Sequence, residues 1–171
     1  MSAVPTPAWA DWVRLVRALE SRFVLRQCVE VGLAPCVRGR VWIHDGGSVR
    51  LGDRVTFDAS TVPIELHAFP GAEIVIGHDV RIEGGVSIEA HRSVTIGDGV
   101  TLGGYCKVID NHFHAIHGDR HRRPRSAPVV IEAGAQVGRR AVVFPGALVL
   151  AGSTVGPATT VRRANSSQRK A

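Results

Sequence analysis

From Val31 onward the apolar positions keep a step of six. Aliphatic or aromatic residues recur at Val31, Val37 and Ile43, at Leu51 and Phe57, at Ile76, Ile82 and Ile88, at Ile96, Leu102 and Val108, and then at Ile131, Val137, Val143, Val149, Val155 and Val161. Gly, Asp or Glu often follows, as in Leu51-Gly52-Asp53 and Ile96-Gly97-Asp98, and a small or β-branched residue often sits four positions on, as at Val55, Val80, Val100 and Ala141. A helix repeats every 3.6 residues and a strand every 2, so neither alone explains the step. One short strand and one turn per hexad does. Three hexads then close a triangular coil, and the leading residues point inward and stack from coil to coil, with glycine at corners where the backbone bends sharply. The coil starts Val31, Leu51, Ile76, Ile96, Ile131 and Val149 lie 20, 25, 20, 35 and 18 residues apart. Each interval is 18 with at most a small insertion, except the 35, which holds an excursion of 17 residues. The pattern predicts an all-β solenoid, a parallel β-helix of about five triangular coils over residues 31–161, with one long loop inserted at 109–128.

Residues 1–30 read differently. Thr6-Pro7 is a helix start, a capping hydroxyl followed by proline at the first helical position. From Ala8 to about Phe23, Trp9, Trp12, Val13, Val16, Leu19 and Phe23 follow helical spacing, with Arg14, Arg17, Glu20 and Arg22 on much of the opposite face. Two tryptophans on one stripe could form a binding surface. A solenoid needs a cap, however, and the stripe is read as the plug of the open coil end. Residues 162–171 read as a disordered basic tail.

With 171 residues the chain is one domain, and its 19 glycines and 5% aromatic content suit a fold of small turns and aliphatic layers. The formal charge of +6 is gathered largely in Arg120–Arg125 and Arg162–Lys170. No helix-turn-helix, RNA-binding aromatic motif or zinc finger accompanies it, so no nucleic-acid partner is expected. Cys28, Cys36 and Cys106 lack a C-x-x-C spacing and read as incidental thiols of a reducing compartment. No secretory leader or membrane span is read from the sequence, and the cytoplasm is the expected location.

The chemistry is concentrated where the period breaks. Four of the eight histidines, His112, His114, His117 and His121, fall within the inserted loop, beside Arg120, Arg122, Arg123 and Arg125. A variable loop on a regular scaffold is a usual place for function. The runs Ser93-Val94-Thr95-Ile96-Gly97-Asp98-Gly99-Val100, Asp110-Asn111-His112-Phe113-His114-Ala115-Ile116, Ala127-Pro128-Val129-Val130-Ile131 and Val143-Phe144-Pro145-Gly146-Ala147 come in the order found in the hexapeptide-repeat acyltransferases. The chain resembles that family over roughly three quarters of its length, in particular the branch of maltose, galactoside and capsule-sugar O-acetyltransferases.

The resemblance implies a left-handed coil, a homotrimer, acetyl-coenzyme A as co-substrate, a sugar or polysaccharide precursor as acceptor, and no metal. It implies direct transfer with a histidine general base. The family's loop motif places that base at His114. His112 is the alternative, since residues two apart in an extended segment face the same way. Asp110 or Asn111 would orient the ring. By position, Glu83 and His91 correspond to the polar pair that holds the acceptor. The coenzyme groove, which the family builds between subunits, would be lined by Gly138, Arg139, Ala151, Gly152, Ala158 and Arg162, with the arginines meeting phosphates. The sequence departs from the family pattern at Ala115, Glu132 and Gln136, where proline, glycine and tryptophan are usual. Two other readings share the coil: a catalytically silent structural or regulatory trimer, and a metal enzyme of the γ-carbonic anhydrase kind with histidines at a subunit boundary.

Overall fold

The structure is a computed structural model that describes residues 8–44, 46–112 and 126–163, without the side chains of 8–11 and 13–15. The chain is an all-β parallel solenoid of about five turns with one short helix, α1 (Ala8–Val24), near its N-terminus. One sheet of six strands forms the first face: Glu30–Val31, Ser48–Leu51, Glu73–Ile76, Ser93–Ile96, Val129–Ile131 and Leu148–Val149. The other two faces belong to one ten-stranded sheet, because the long strands Cys36–His44 and Thr56–Ala68 run round a corner and join them.

The strand register reproduces the hexad arithmetic. On the first face Arg50 pairs with Glu30, Val75 with Arg50, Thr95 with Val75, Val130 with Thr95 and Leu148 with Val130. These are the intervals of the coil starts. Leu51, Ile76, Ile96 and Ile131 form one buried column, Phe57, Ile82, Leu102 and Val137 a second, and Leu66, Ile88, Val108 and Val143 a third. Each such side chain contributes about 1.5–3 kcal/mol on burial, so the columns are the core of the fold. Leu66 is the third member of the second coil and does not obey the step of six. A bulge at the corner shifts the register between Gly39 paired with Ala59 and Val41 paired with Ile64, and the strand resumes three residues late.

Glycine and aspartate at the first corner, between the first and second faces, have separate tasks. A Cβ on Gly32, Gly52 or Gly97 would lie 2.4–2.6 Å from backbone atoms of the next coil, so at these three positions glycine permits the close approach. The neighbouring carboxylates satisfy backbone donors across coils: Asp53 accepts from the Leu33 N–H at 2.7 Å and Asp98 from the His78 N–H at 2.7 Å. Glu132 replaces glycine in this column, and its carboxylate accepts from the Ala151 N–H at 2.9 Å. The departure thus keeps the cross-coil bond by another route.

The helix is joined to the first coil, but by a different face from the one its apolar stripe suggests. Trp12, Val16, Leu19 and Phe23 are exposed, the two aromatics by 68% and 69%. Leu25, fully buried, fills the coil end instead. The Ser21 hydroxyl accepts from the Val37 N–H at 2.9 Å, and Arg22 donates to the Val31 and Gly32 carbonyls, so α1 meets the coil through groups that satisfy its open edge. Helical spacing identifies a stripe but not what covers it, and the plug expected from Trp12 to Phe23 is corrected to Leu25 with Ser21. Thr6, Pro7 and the Trp9 and Val13 side chains lie outside what is described.

Candidate functional site

The loop leaves the coil at the third corner, where the third face gives way to the first face of the next coil. The strand Lys107–Ile109 ends at Asp110, whose carboxylate is completely buried. It accepts from three successive backbone N–H groups of the turn one coil earlier: His91 at 2.7 Å, Arg92 at 2.6 Å and Ser93 at 2.8 Å. The Asp110 carbonyl accepts from the Ala127 N–H at 2.9 Å, and the nearly buried Asn111 donates through Nδ2 to the Ser126 hydroxyl at 2.8 Å. These bonds clasp the departing and returning ends of the inserted segment to each other and to the coil beneath. His114, Ala115, His117, His121 and Arg120–Arg125 lie outside the described residues.

His112 is exposed at the mouth of the clasp. Its ring is tilted against Phe144, with centroids 5.3 Å apart, and the Arg162 guanidinium lies 5.1 Å from the other ring's centroid. His112, Phe144, Pro145, Arg162 and Arg163 line a cavity of about 250 Å³. A second cavity of about 540 Å³ shares Arg163 with it and is lined by Arg92, Ser126, Ala127, Pro128 and Gly146. Among the described residues no carboxylate lines either cavity, and Asp110 is turned inward to its three backbone donors. The described lining of these two cavities is therefore cationic, with Phe144 as an aromatic floor.

The remaining candidates are spread over the coil. Glu83 lies at the second corner, between the second and third faces, where Oε2 accepts from the Gly104 N–H at 2.9 Å. It lines a polar cleft of about 210 Å³ with Asp58, Ser60, Thr61, Tyr105 and Arg139. His91 lies at the third corner instead, stacked on Phe69 at 3.7 Å, which stacks on His67 at 3.9 Å. The strand Ser87–Ala90 separates Glu83 from His91. Of the six groove residues, Gly138, Arg139 and Ala158 share the second corner, where the Ala158 N–H donates to the Arg139 carbonyl at 2.8 Å. Ala151 and Gly152 form the first corner of the last coil, and Arg162 belongs to the third. One chain brings together His112 and Arg162, and separately Glu83 and Arg139, but does not unite these groups.

Burial pushes the Cys28 and Cys106 thiols up to about 12, which makes them packing residues and poor nucleophiles. The His67 imidazole is shifted down, first by burial and then by the neighbouring His44 ring. Among the described residues, no three His, Cys, Asp or Glu side chains converge as a metal-ligand set, and no helix is long and apolar enough to cross a membrane.

Arg92, Ser126 and Phe144 were not among the candidates drawn from the sequence. Phe144 follows Val143, which pairs with Val108, so it stands on the coil directly beyond the loop's departure point. Counting one coil on from Ile109 would have found it. Ser126 and Arg92 become visible only through their bonds to Asn111 and Asp110.

Fold and corner together define a parallel β-solenoid with a loop inserted between two coils and clasped at its base. No protein-family model matches the sequence, and no curated protein matches it. Solved structures share the fold. One is a variant of AntD, an N-acyltransferase from Bacillus cereus in complex with dTDP and coenzyme A, with a TM-score of 0.67 and 13% identity over 82% of this chain and 76% of that one. Another is a hexapeptide-repeat-containing acetyltransferase from Vibrio cholerae O1 biovar eltor in complex with acetyl-coenzyme A, with a TM-score of 0.50 and 16% identity over 91% of this chain and 84% of that one. At these identities the likeness is one of fold.

Proposed function

We propose that this chain is an acetyl-coenzyme A-dependent O-acetyltransferase acting on a hydroxyl of a sugar or polysaccharide precursor. The observation that carries the reading is the clasped third corner, which holds both ends of a histidine-bearing loop rigidly beside a cationic, aromatic-floored cavity. Two solved structures that share the fold are an N-acyltransferase and an acetyltransferase with coenzyme A or acetyl-coenzyme A bound, which supports acyl transfer as the class. The dTDP bound by AntD is in keeping with an acceptor sugar carried on a nucleotide.

In this reading a loop histidine, His114 with His112 as the alternate, takes the proton of the acceptor hydroxyl as its oxygen attacks the thioester carbonyl. The tetrahedral oxyanion collapses, the C–S bond breaks, and the departing coenzyme A thiolate recovers the proton from the imidazolium. The buried Asp110 and Asn111 act from behind, by fixing where the loop begins. The acting unit is a homotrimer in the cytoplasm, a compartment that suits three unpaired thiols. Subunit contact is also what would complete the site. The second corner of one subunit, with Glu83, Gly138, Arg139 and Ala158, meets the third corner of the next, with His91, His112 and Arg162.

Calorimetric titration with acetyl-coenzyme A tests the reading. Saturable binding by wild type, retained in His114→Ala and His112→Ala, is the expected result. An absence of binding by wild type would remove the acyltransferase and leave a structural trimer as the better account.

A further inference from the structure

We infer that the cavity between Arg92 and Arg163 is a seat for a phosphate group of one of the two substrates. The inference rests on the acyltransferase reading only for the names of those substrates. Both arginines line the 540 Å³ cavity, together with the Ser126 hydroxyl and, among the described residues, no carboxylate. A guanidinium presents a planar fork of donors that matches phosphate oxygens, and two of them balance a dianion.

Each of the three groups rests against a neighbour. The Arg92 N–H is held at 2.6 Å by the buried Asp110 carboxylate. Ser126 is oriented by the Asn111 amide at 2.8 Å. The Arg163 stem runs over Gly146, where Cβ and Cδ lie 3.6 and 3.4 Å from the place a glycine Cβ would occupy. Gly146 has φ of 76°, so the corner favours glycine there and leaves the stem its track.

The position is informative as well. Asp110, the residue that fixes the Arg92 turn, is also the residue from which the loop departs, and Arg163 is shared with the His112 cavity. A phosphate bound here would set the distance between a ligand's charged end and the loop histidines. The same chemistry would serve the diphosphate of coenzyme A or that of a nucleotide-activated acceptor.

Calorimetry with coenzyme A, phosphate-free pantetheine and uridine diphosphate, on wild type, Arg92→Gln and Arg163→Gln, tests the seat. Both variants replace exposed side chains, and a thermal melt confirms that they fold. The expected result is a loss of about tenfold in affinity per arginine for a phosphorylated ligand, with pantetheine unchanged, and partial recovery in Arg92→Lys, which keeps the charge without the fork. A loss for coenzyme A assigns the phosphate to the donor, and a loss for uridine diphosphate assigns it to the acceptor. Unchanged affinities for both in both variants, or no binding of either by wild type, overturn the seat. Coenzyme A bound equally by all three proteins, with uridine diphosphate binding absent or unchanged, would remove the seat and leave the acyltransferase standing. Uridine diphosphate bound and then lost in the variants, with no coenzyme A binding, would keep the seat and remove the acyltransferase.

Discussion

Replacing Asp110 by alanine removes the acceptor for three backbone N–H groups at once. The carboxylate is fully buried and holds His91, Arg92 and Ser93 at 2.6–2.8 Å, so its removal leaves the whole turn without its acceptor. An orphaned buried donor costs about 1–3 kcal/mol, and relaxation of the turn recovers part of that, so the loss is about 3–5 kcal/mol. For a chain of this size that is a fall of roughly 6–20 °C in the melting midpoint. Asp110→Asn keeps one acceptor oxygen but points an amide donor at donors, and falls between wild type and alanine. Differential scanning calorimetry on the three proteins measures the order directly. Asp53→Ala is the comparison, because its carboxylate holds one backbone N–H, that of Leu33, and pairs with His78 at the surface, where water substitutes, and its midpoint moves far less. An Asp110→Ala midpoint within about 1 °C of wild type would refute the clasp, since the loss of an acceptor shared by three N–H groups is not that cheap.

Leu25→Ala costs about 2–5 kcal/mol as a buried side chain is emptied, whereas Trp12→Gln and Phe23→Gln change the unfolding free energy from urea denaturation by less than about 0.5 kcal/mol, because their rings already face solvent. Gly97→Ala places a Cβ 2.6 Å from the Ala133 nitrogen of the next coil and destabilises by about 1–3 kcal/mol, read in the same denaturation series. Stability falls as pH is lowered in two windows. His67 has a depressed folded pKa, so the unfolded chain binds its proton first and stability declines below about pH 6.5, a decline that His67→Phe removes. The Asp53 carboxyl is held down first by the Leu33 N–H and the Asp79 carboxyl by its bidentate bond to Arg54, so their contribution is present above about pH 4 and lost below it, and Arg54→Gln flattens that limb of a melting-versus-pH curve.

The solenoid was legible because its geometry is periodic. Each inward column is a large apolar residue recurring at one place in a coil, and the intervals between Val31, Leu51, Ile76, Ile96, Ile131 and Val149 are the registers of the sheet itself. Leu66 escaped because a corner bulge breaks the count locally without breaking the stack. The helix stripe misled for a related reason. Spacing reports which residues share a face, and burial depends on what lies opposite.

The candidate site was legible as a place, the end of the strand at Ile109, more than as a set of side chains. Asp110 shows why. A carboxylate two residues before a histidine fits a ring-orienting pattern, yet its oxygens here meet three N–H groups a coil away in sequence. Residues carried over one at a time from a family pattern likewise do not say which corner they share. Glu83 and His91 fall on different corners, and so do Gly138 and Arg162, and only the register shows it.

The central claim is that a histidine of the inserted loop acts as the base of an acyl transfer. The most direct measurement is the rate of thiol release from acetyl-coenzyme A as a function of pH, with a panel of free and nucleotide-linked sugars, for wild type, His112→Ala and His114→Ala. Turnover is expected to rise through the histidine range and to fall by a factor of about 10²–10⁴ in one of the two variants, with donor affinity retained. Equal turnover in all three proteins would contradict it.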